Sequence, residues 1–183
     1  MTRIPVHTVE DAPADAQEGL RGLKEKFGKV LNIHGEMAHS PALLGSYLGI
    51  EGALAEHGTF DGRTREAIAL VSGATNDCGY CQAAHTAGAQ AAGWSEDETV
   101  SLRSGSPVDP DGGLDALLAV AKETVAEVGH VEESTWQRAL DAGWTTEQLG
   151  ELFGHVMVNM FTNYFNHYAH TELDLPEAPA LES

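Results

Sequence analysis

The chain has little cysteine and little positive charge. Of its 183 residues only two are cysteines, Cys78 and Cys81, and 10 are Lys or Arg against 28 Asp or Glu, a formal net charge of −18. A cross-link stabilises chiefly by closing a long loop in the unfolded chain, and a bridge across two intervening residues closes almost none. The cysteines are therefore not staples. The shortage of bases excludes nucleic acid and anionic lipid surfaces as partners, because both are recognised through positive charge. No apolar run approaches the roughly 18–20 residues that cross a bilayer. The first residues, Met1-Thr2-Arg3-Ile4-Pro5-Val6-His7, lack the apolar stretch of an export signal. Both absences point to the cytoplasm, where a close pair of thiols is more often catalytic or metal-binding than structural. No segment alternates polar and apolar residues as a half-buried strand does, which leaves an all-α fold.

What is present is helical punctuation. Ser40-Pro41 supplies an N-cap and a first-turn proline for a helix to His57, with Gly58 as its stop. Asp61-Gly62 opens a second helix with the apolar stripe Ala67, Leu70, Val71 and Ala74. Asn76-Asp77 breaks it, Asp77 is placed to cap a helix from Cys78 to about Ala92, and Gly93 ends that one. Ser95 and Glu98 have the spacing of a capping box. A linker rich in Pro, Asp and Gly runs from Ser106 to Gly113. A last helix spans about Thr146 to His170, with an apolar stripe of Phe153, Met157, Met160, Phe161, Tyr164 and Tyr168. Its other stripe, His155, Asn159, Thr162, Asn163, Asn166 and His170, is polar without being acidic. The tail Leu175-Pro176-Glu177-Ala178-Pro179 reads as extended chain.

The text also repeats itself. Ala92-Gly93-Trp94-Ser95 returns fifty residues later as Ala142-Gly143-Trp144-Thr145, and Asp61-Gly62 returns as Asp111-Gly112. One domain over 1–183 is expected, holding two copies of a helical hairpin, a Gly-Trp corner and a third helix, at about 61–105 and 111–155. At the same offset Cys78, Cys81, His85 and Glu66 become Val128, Val131, Thr135 and Ala116. Structural residues persist and chemical ones vanish together, so the first copy is the working unit and the second a scaffold. Val128 and Val131 are expected to be buried, and Trp94 and Trp144 to anchor the corners in the core.

Cys78, Cys81 and His85 stand at i, i+3 and i+7 on one helical face. A thiol at a helix N-terminus has a lowered pKa, which favours Cys78 as the thiolate. Cys81, with His85 one turn on, is the attacking thiol by the alternative argument, and Cys78 then resolves. Glu66 lies at a matching depth across the turn if the two helices fold back antiparallel, and could orient the imidazole there. Otherwise it serves its own helix N-terminus or pairs with Arg63. A redox pair and a metal site with Cys78, Cys81 and His85 as ligands both fit the spacing. His155, His167 and His170 are weaker metal candidates, with no acid firmly beside them.

The run Arg65-Glu66-Ala67-Ile68-Ala69-Leu70 through Asn76-Asp77-Cys78-Gly79-Tyr80-Cys81-Gln82-Ala83-Ala84-His85 resembles the core of the AhpD-like alkylhydroperoxidases within the carboxymuconolactone decarboxylase family. Asn163-Tyr164-Phe165-Asn166-His167 resembles the end of the longer, peroxidase-related members, and the likeness covers most of 40–175. It implies an all-α, multihelical duplicated fold and homo-oligomers, often trimers or hexamers. It implies reduction of small hydroperoxides by the two cysteines, with Glu66 and His85 as a proton relay and no cofactor or metal. An external dithiol or thioredoxin-like reductant would reset the pair. The founding enzyme carries a histidine between its cysteines where this chain has Gly79-Tyr80. The family's decarboxylases lack the paired cysteines, which disfavours lactone chemistry here.

Overall fold

The structure, a computed structural model, describes residues 2–181, and among these it is all-helical, with no strand. Nine helices follow one another: α1 (Ala14–Phe27), α2 (Asn32–Met37), α3 (Pro41–His57), α4 (Gly62–Thr75), α5 (Gly79–Ala91), α6 (Glu96–Ser104), α7 (Gly113–Ala126), α8 (Glu133–Asp141) and α9 (Thr146–Ala169). Several starts follow from their caps. Ser40 Oγ accepts from the Leu43 amide with Pro41 in the first turn, and an Asp61 carboxylate oxygen accepts from the Thr64 amide. Ser95 with Glu98, and Thr145 with Gln148, form complete capping boxes.

Helix α4 is the axle. Every residue from Ala67 to Gly73 is buried, as expected of a helix apolar on all sides, and α5, α6, α7 and α9 pack around it. One core, of α4, α7 and α9, holds Ile68, Leu70, Leu117, Leu152 and Val156. The other lies under α1, α2 and α3, and Cys78 and Cys81 sit in its floor. Glu151 of α9 takes the backbone amides of Thr59 and Phe60 at 2.8–3.1 Å, which fixes the α3–α4 loop against α9. Trp94 is buried and Trp144 partly so; their indole N–H groups donate to the carbonyls of Arg63 and Gly113 at 2.9 and 2.7 Å.

Three expectations change. Cys78, not Asp77, is the N-cap of α5; its sulfur accepts the Cys81 amide, while Asp77 is exposed and left-handed at φ 51°. The reason is the tight α4–α5 turn, which needs a left-handed residue just before the cap. Val128 is not buried but 87 % exposed at φ 55°, because α8 starts only at Glu133 and leaves Val128 in a turn. The stripes of α9 divide differently from their polarity. His155, Asn159, Asn163 and Asn166 are buried, whereas Phe153, Tyr164 and Tyr168 are more than half exposed. His155, Asn159 and Asn166 of the polar stripe line the same cavity as Cys81, and α9 buries them together with Leu152, Val156 and Phe165. Of the two alternatives for Glu66, the pair with Arg63 does not form, since Arg63 bonds Glu98 at 3.0 Å and stacks over the Trp94 ring.

The N-terminal helices give no strong sequence signal. Neither α1 nor α2 has a side-chain cap, and α2 buries His34 and Glu36. The tail is held as well as extended. Asp174 receives the Tyr80 hydroxyl at 2.7 Å and pairs with Lys29 at 2.9 Å, so the chain end covers the Cys-x-x-Cys turn.

Candidate active site

Glu66 on α4, and Cys81 and His85 on α5, line one cavity of about 530 Å³. Helices α4 and α5 fold back on each other across the Asn76–Asp77 turn, and His85 Nδ1 reaches Glu66 Oε2 at 2.9 Å. Both side chains are nearly a third exposed, so solvent and small solutes reach them. With Nδ1 committed to the carboxylate, Nε2 is the nitrogen left to exchange protons with the cavity. Gly88 makes room for this pair, because a Cβ there would stand 2.7–2.8 Å from the Glu66 carboxylate.

The sulfurs lie deeper. Cys78 is 1 % and Cys81 3 % exposed, and the thiols are not bridged. Asn166 of α9 directs its Nδ2 at both sulfurs, 3.2 Å from Cys81 and 3.7 Å from Cys78, so a single amide spans the pair. Asn163, wholly buried beside it, accepts from Asn76 Nδ2 at 2.8 Å, and His167 bonds the Asn76 carbonyl at 2.9 Å. Helix α9 thereby clamps the α4–α5 turn that presents the thiols. Asn163 and Asn166 escaped a functional assignment from sequence, although the uncharged polarity of their stripe was the available signal.

The Cys81 thiol donates to Cys78, and that bond outweighs burial; with the Cys81 amide and Asn166, it holds Cys78 down to about 6. The same bond, then burial, pushes Cys81 far up. Such a pair titrates as a unit, with one negative charge over two sulfurs near neutral pH. Burial pushes His85 down, but the hydrogen bond and charge of Glu66 more than offset it and leave the imidazole above its ordinary range. Among the described residues no three His, Cys, Asp or Glu side chains stand where they could hold a metal ion; Cys78, Cys81, His85 and Glu66 form no such group. His155 bonds Glu151 at 3.3 Å and serves the core.

The model of the carboxymuconolactone decarboxylase family matches residues 41–126, from the start of α3 to the end of α7. Over that segment, and by its fold, the chain resembles AhpD-like members of the family. Its fold is AhpD-like. A peroxidase-related protein from Ralstonia eutropha JMP134, with an alkylhydroperoxidase AhpD core, superposes with a TM-score of 0.83 at 20% identity, covering 94% of this chain and 92% of that one. A peroxidase-related protein from Silicibacter sp. TM1040 gives 0.78 at 19% identity, over 98% and 94% of the two chains. The debrominase Bmp8, as a cysteine-to-alanine variant in complex with 2,3,4-tribromopyrrole, gives 0.81 at 17% identity, over 95% and 92%. At these identities the likeness establishes the fold and leaves the reaction to the site. No curated protein sequence matches the chain. Among the described residues, no helix is long and apolar enough to cross a membrane.

Proposed function

We propose that this protein is a thiol-dependent peroxidase of the cytoplasm that reduces small organic hydroperoxides through Cys78 and Cys81. The observation that carries this reading is the unbridged thiol pair under the Asn166 amide, on a cavity wall that also carries the Glu66–His85 pair. Cys81 lines the cavity and Cys78 stands behind it, so Cys81 attacks once its proton has passed to Cys78. Its sulfur takes the distal peroxide oxygen, the O–O bond breaks, and the departing alkoxide receives a proton from His85, held ready by Glu66. The Cys81 sulfenic acid then loses water as Cys78 displaces it, and a disulfide forms. An external dithiol, free or on a thioredoxin-like protein, returns two electrons and two protons. The exposed Phe153, Tyr164 and Tyr168 on α9 offer an apolar row suited to a homo-oligomer, a trimer or hexamer. Residues 61–105 are the working unit in this reading, and 111–155 the scaffold.

The test is stopped-flow mixing of reduced protein with cumene hydroperoxide, followed by mass spectrometry. One intramolecular disulfide and one alcohol per peroxide are expected. Two free thiols after exposure, or only intermolecular dimers, overturn the reading. The rate should rise with pH through a midpoint near 6, set by the thiol pair, and not near the ~8.5 of an isolated thiol.

A second reading has its own support in the mostly apolar cavity and the debrominase likeness. The same pair could remove halogen from an aromatic ring. One sulfur would take bromine as the ring carbon gains a proton, and the other would expel bromide to form the disulfide. Bromide release from a brominated pyrrole, without peroxide consumption, would favour it.

A further inference from the structure

One stretch of the cavity wall carries polar groups that no described residue uses. His34 of α2 is 3 % exposed and lines the cavity beside Tyr47 of α3. Their rings stack 5.7 Å apart and Phe27 lies 5.3 Å beyond His34, so three rings form a row along one wall. Among the described residues His34 Nδ1 is sealed in the wall without a hydrogen-bond partner. His34 Nε2 and the Tyr47 hydroxyl also lack a partner there, but they are not sealed. An imidazole with no acceptor at Nδ1 keeps its proton on Nε2, where an occupant of the cavity can accept it. Burial holds His34 down to about 4, with a further push from Lys26, and burial raises the Tyr47 hydroxyl, so both are uncharged donors at neutral pH. Polar groups left unmatched in a buried wall are rare and call for an explanation.

We infer that His34 and Tyr47 form a recognition subsite for an uncharged acceptor oxygen, of the carbonyl class, on an organic substrate whose flat apolar body lies along the Phe27, His34 and Tyr47 rings. A carboxylate fits less well. It would exchange its hydration for two neutral donors, and Glu51 lines the same cavity. The nearby cations are already engaged, Lys29 with Asp174 at 2.9 Å and Lys26 with Glu51 at 3.9 Å. The inference names the substrate class of the proposed peroxidase and rests on that reading for the reacting group alone. His34 lies before the segment matched by the family model, so the subsite joins that segment to the N-terminal helices.

The test is calorimetric titration of the reduced protein with three unreactive alcohols: cumyl alcohol and its para-acetyl and para-carboxylate derivatives. The acetyl compound should bind roughly five- to thirtyfold tighter than the parent, as two neutral hydrogen bonds allow. His34→Phe and Tyr47→Phe keep the ring row, and each should remove much of that preference while leaving the parent's affinity in place. Equal binding of acetyl and parent compounds, tightest binding of the carboxylate, or a preference that survives both substitutions would each overturn the subsite. The corresponding hydroperoxides separate the two ideas. A preference in binding without peroxide consumption sinks the peroxidase and keeps the subsite, whereas consumption without preference does the reverse.

Discussion

The α4–α6 and α7–α9 segments share a corner and differ in what the corner holds. In each, a tryptophan indole bonds a carbonyl 31 residues back, Trp94 to Arg63 and Trp144 to Gly113. In each, a left-handed glycine precedes that tryptophan, Gly93 at φ 96° and Gly143 at φ 99°, and a complete capping box follows. Even the turn ahead of the second helix matches. The Cys78 amide bonds the Gly73 carbonyl at 2.9 Å, and the Gly129 amide bonds that of Thr124 at 2.8 Å. The two then part. Helix α5 starts at once, at Gly79, and puts Cys81 and His85 on its first two turns; α8 waits until Glu133. In the interval Glu123 ties down the Glu132 amide and the Thr135 hydroxyl at 2.9 and 2.6 Å. The corner is what the two segments share, and the early start of α5 is what sets the first apart. The offset of fifty-one across this turn, from Gly73 to Thr124 and from Cys78 to Gly129, explains why a fixed offset of fifty set Val128 opposite Cys78.

If chemistry lives only in the first segment, the largest effects fall there. Cys81→Ser should abolish peroxide turnover with little change in melting temperature. Cys78→Ser should lower the pH midpoint of Cys81 alkylation, since Cys81 would lose the neighbouring thiolate that holds its proton in place. An unmoved midpoint would show that the sulfurs do not titrate together. Glu66→Gln should slow thiol oxidation by ~10²–10⁴-fold, the usual range of general acid–base help, with the fold intact. Gly88→Ala should act through the same carboxylate, because the added methyl displaces the far end of Glu66. A slower oxidation at unchanged melting temperature is expected, and an unchanged rate would return Glu66 to a structural role.

Much of this was legible in the sequence. The caps at Ser40, Asp61, Ser95 and Thr145 are local chemistry, and the helices start where they say. Glu66 meeting His85 was legible too, because two equal helical depths on either side of one short turn leave little choice once the pair is antiparallel. The roles of Asn163, Asn166, His34 and Asp174 were not legible. Each acts across more than 45 residues or from an element without a sequence signal, so only tertiary packing assigns it. Polarity misled on α9 for a physical reason. A helix that closes over a reactive thiol pair buries its amides and leaves aromatics such as Tyr168 outside.

A smaller effect tests the shared corner itself. Trp94→Phe and Trp144→Phe each remove one indole N–H and leave a carbonyl without its partner. Each should cost about 1–2 kcal/mol in denaturant unfolding. Peroxide turnover should survive the change at Trp144, which lies in the segment without thiols. Unequal costs would mean that the two corners are alike in geometry and different in load.

The smallest effect is expected where the two turns use different residues for one backbone shape. Asp77 holds the left-handed position in the first segment at φ 51°, and Val128 holds it in the second at φ 55°. Aspartate tolerates that region because its short side chain can bond the local backbone. Valine does not, since both γ-methyls crowd the backbone there. Nothing is recovered from packing, because Val128 is 87 % exposed. Val128→Gly should therefore raise stability by about 0.5–1 kcal/mol, the relief of strain exceeding the entropy glycine adds to the unfolded chain. Val128→Ala should fall between the two. A loss of stability in the glycine variant would show that this turn is held by contacts of Val128, and that its likeness to the Asp77 turn is coincidental.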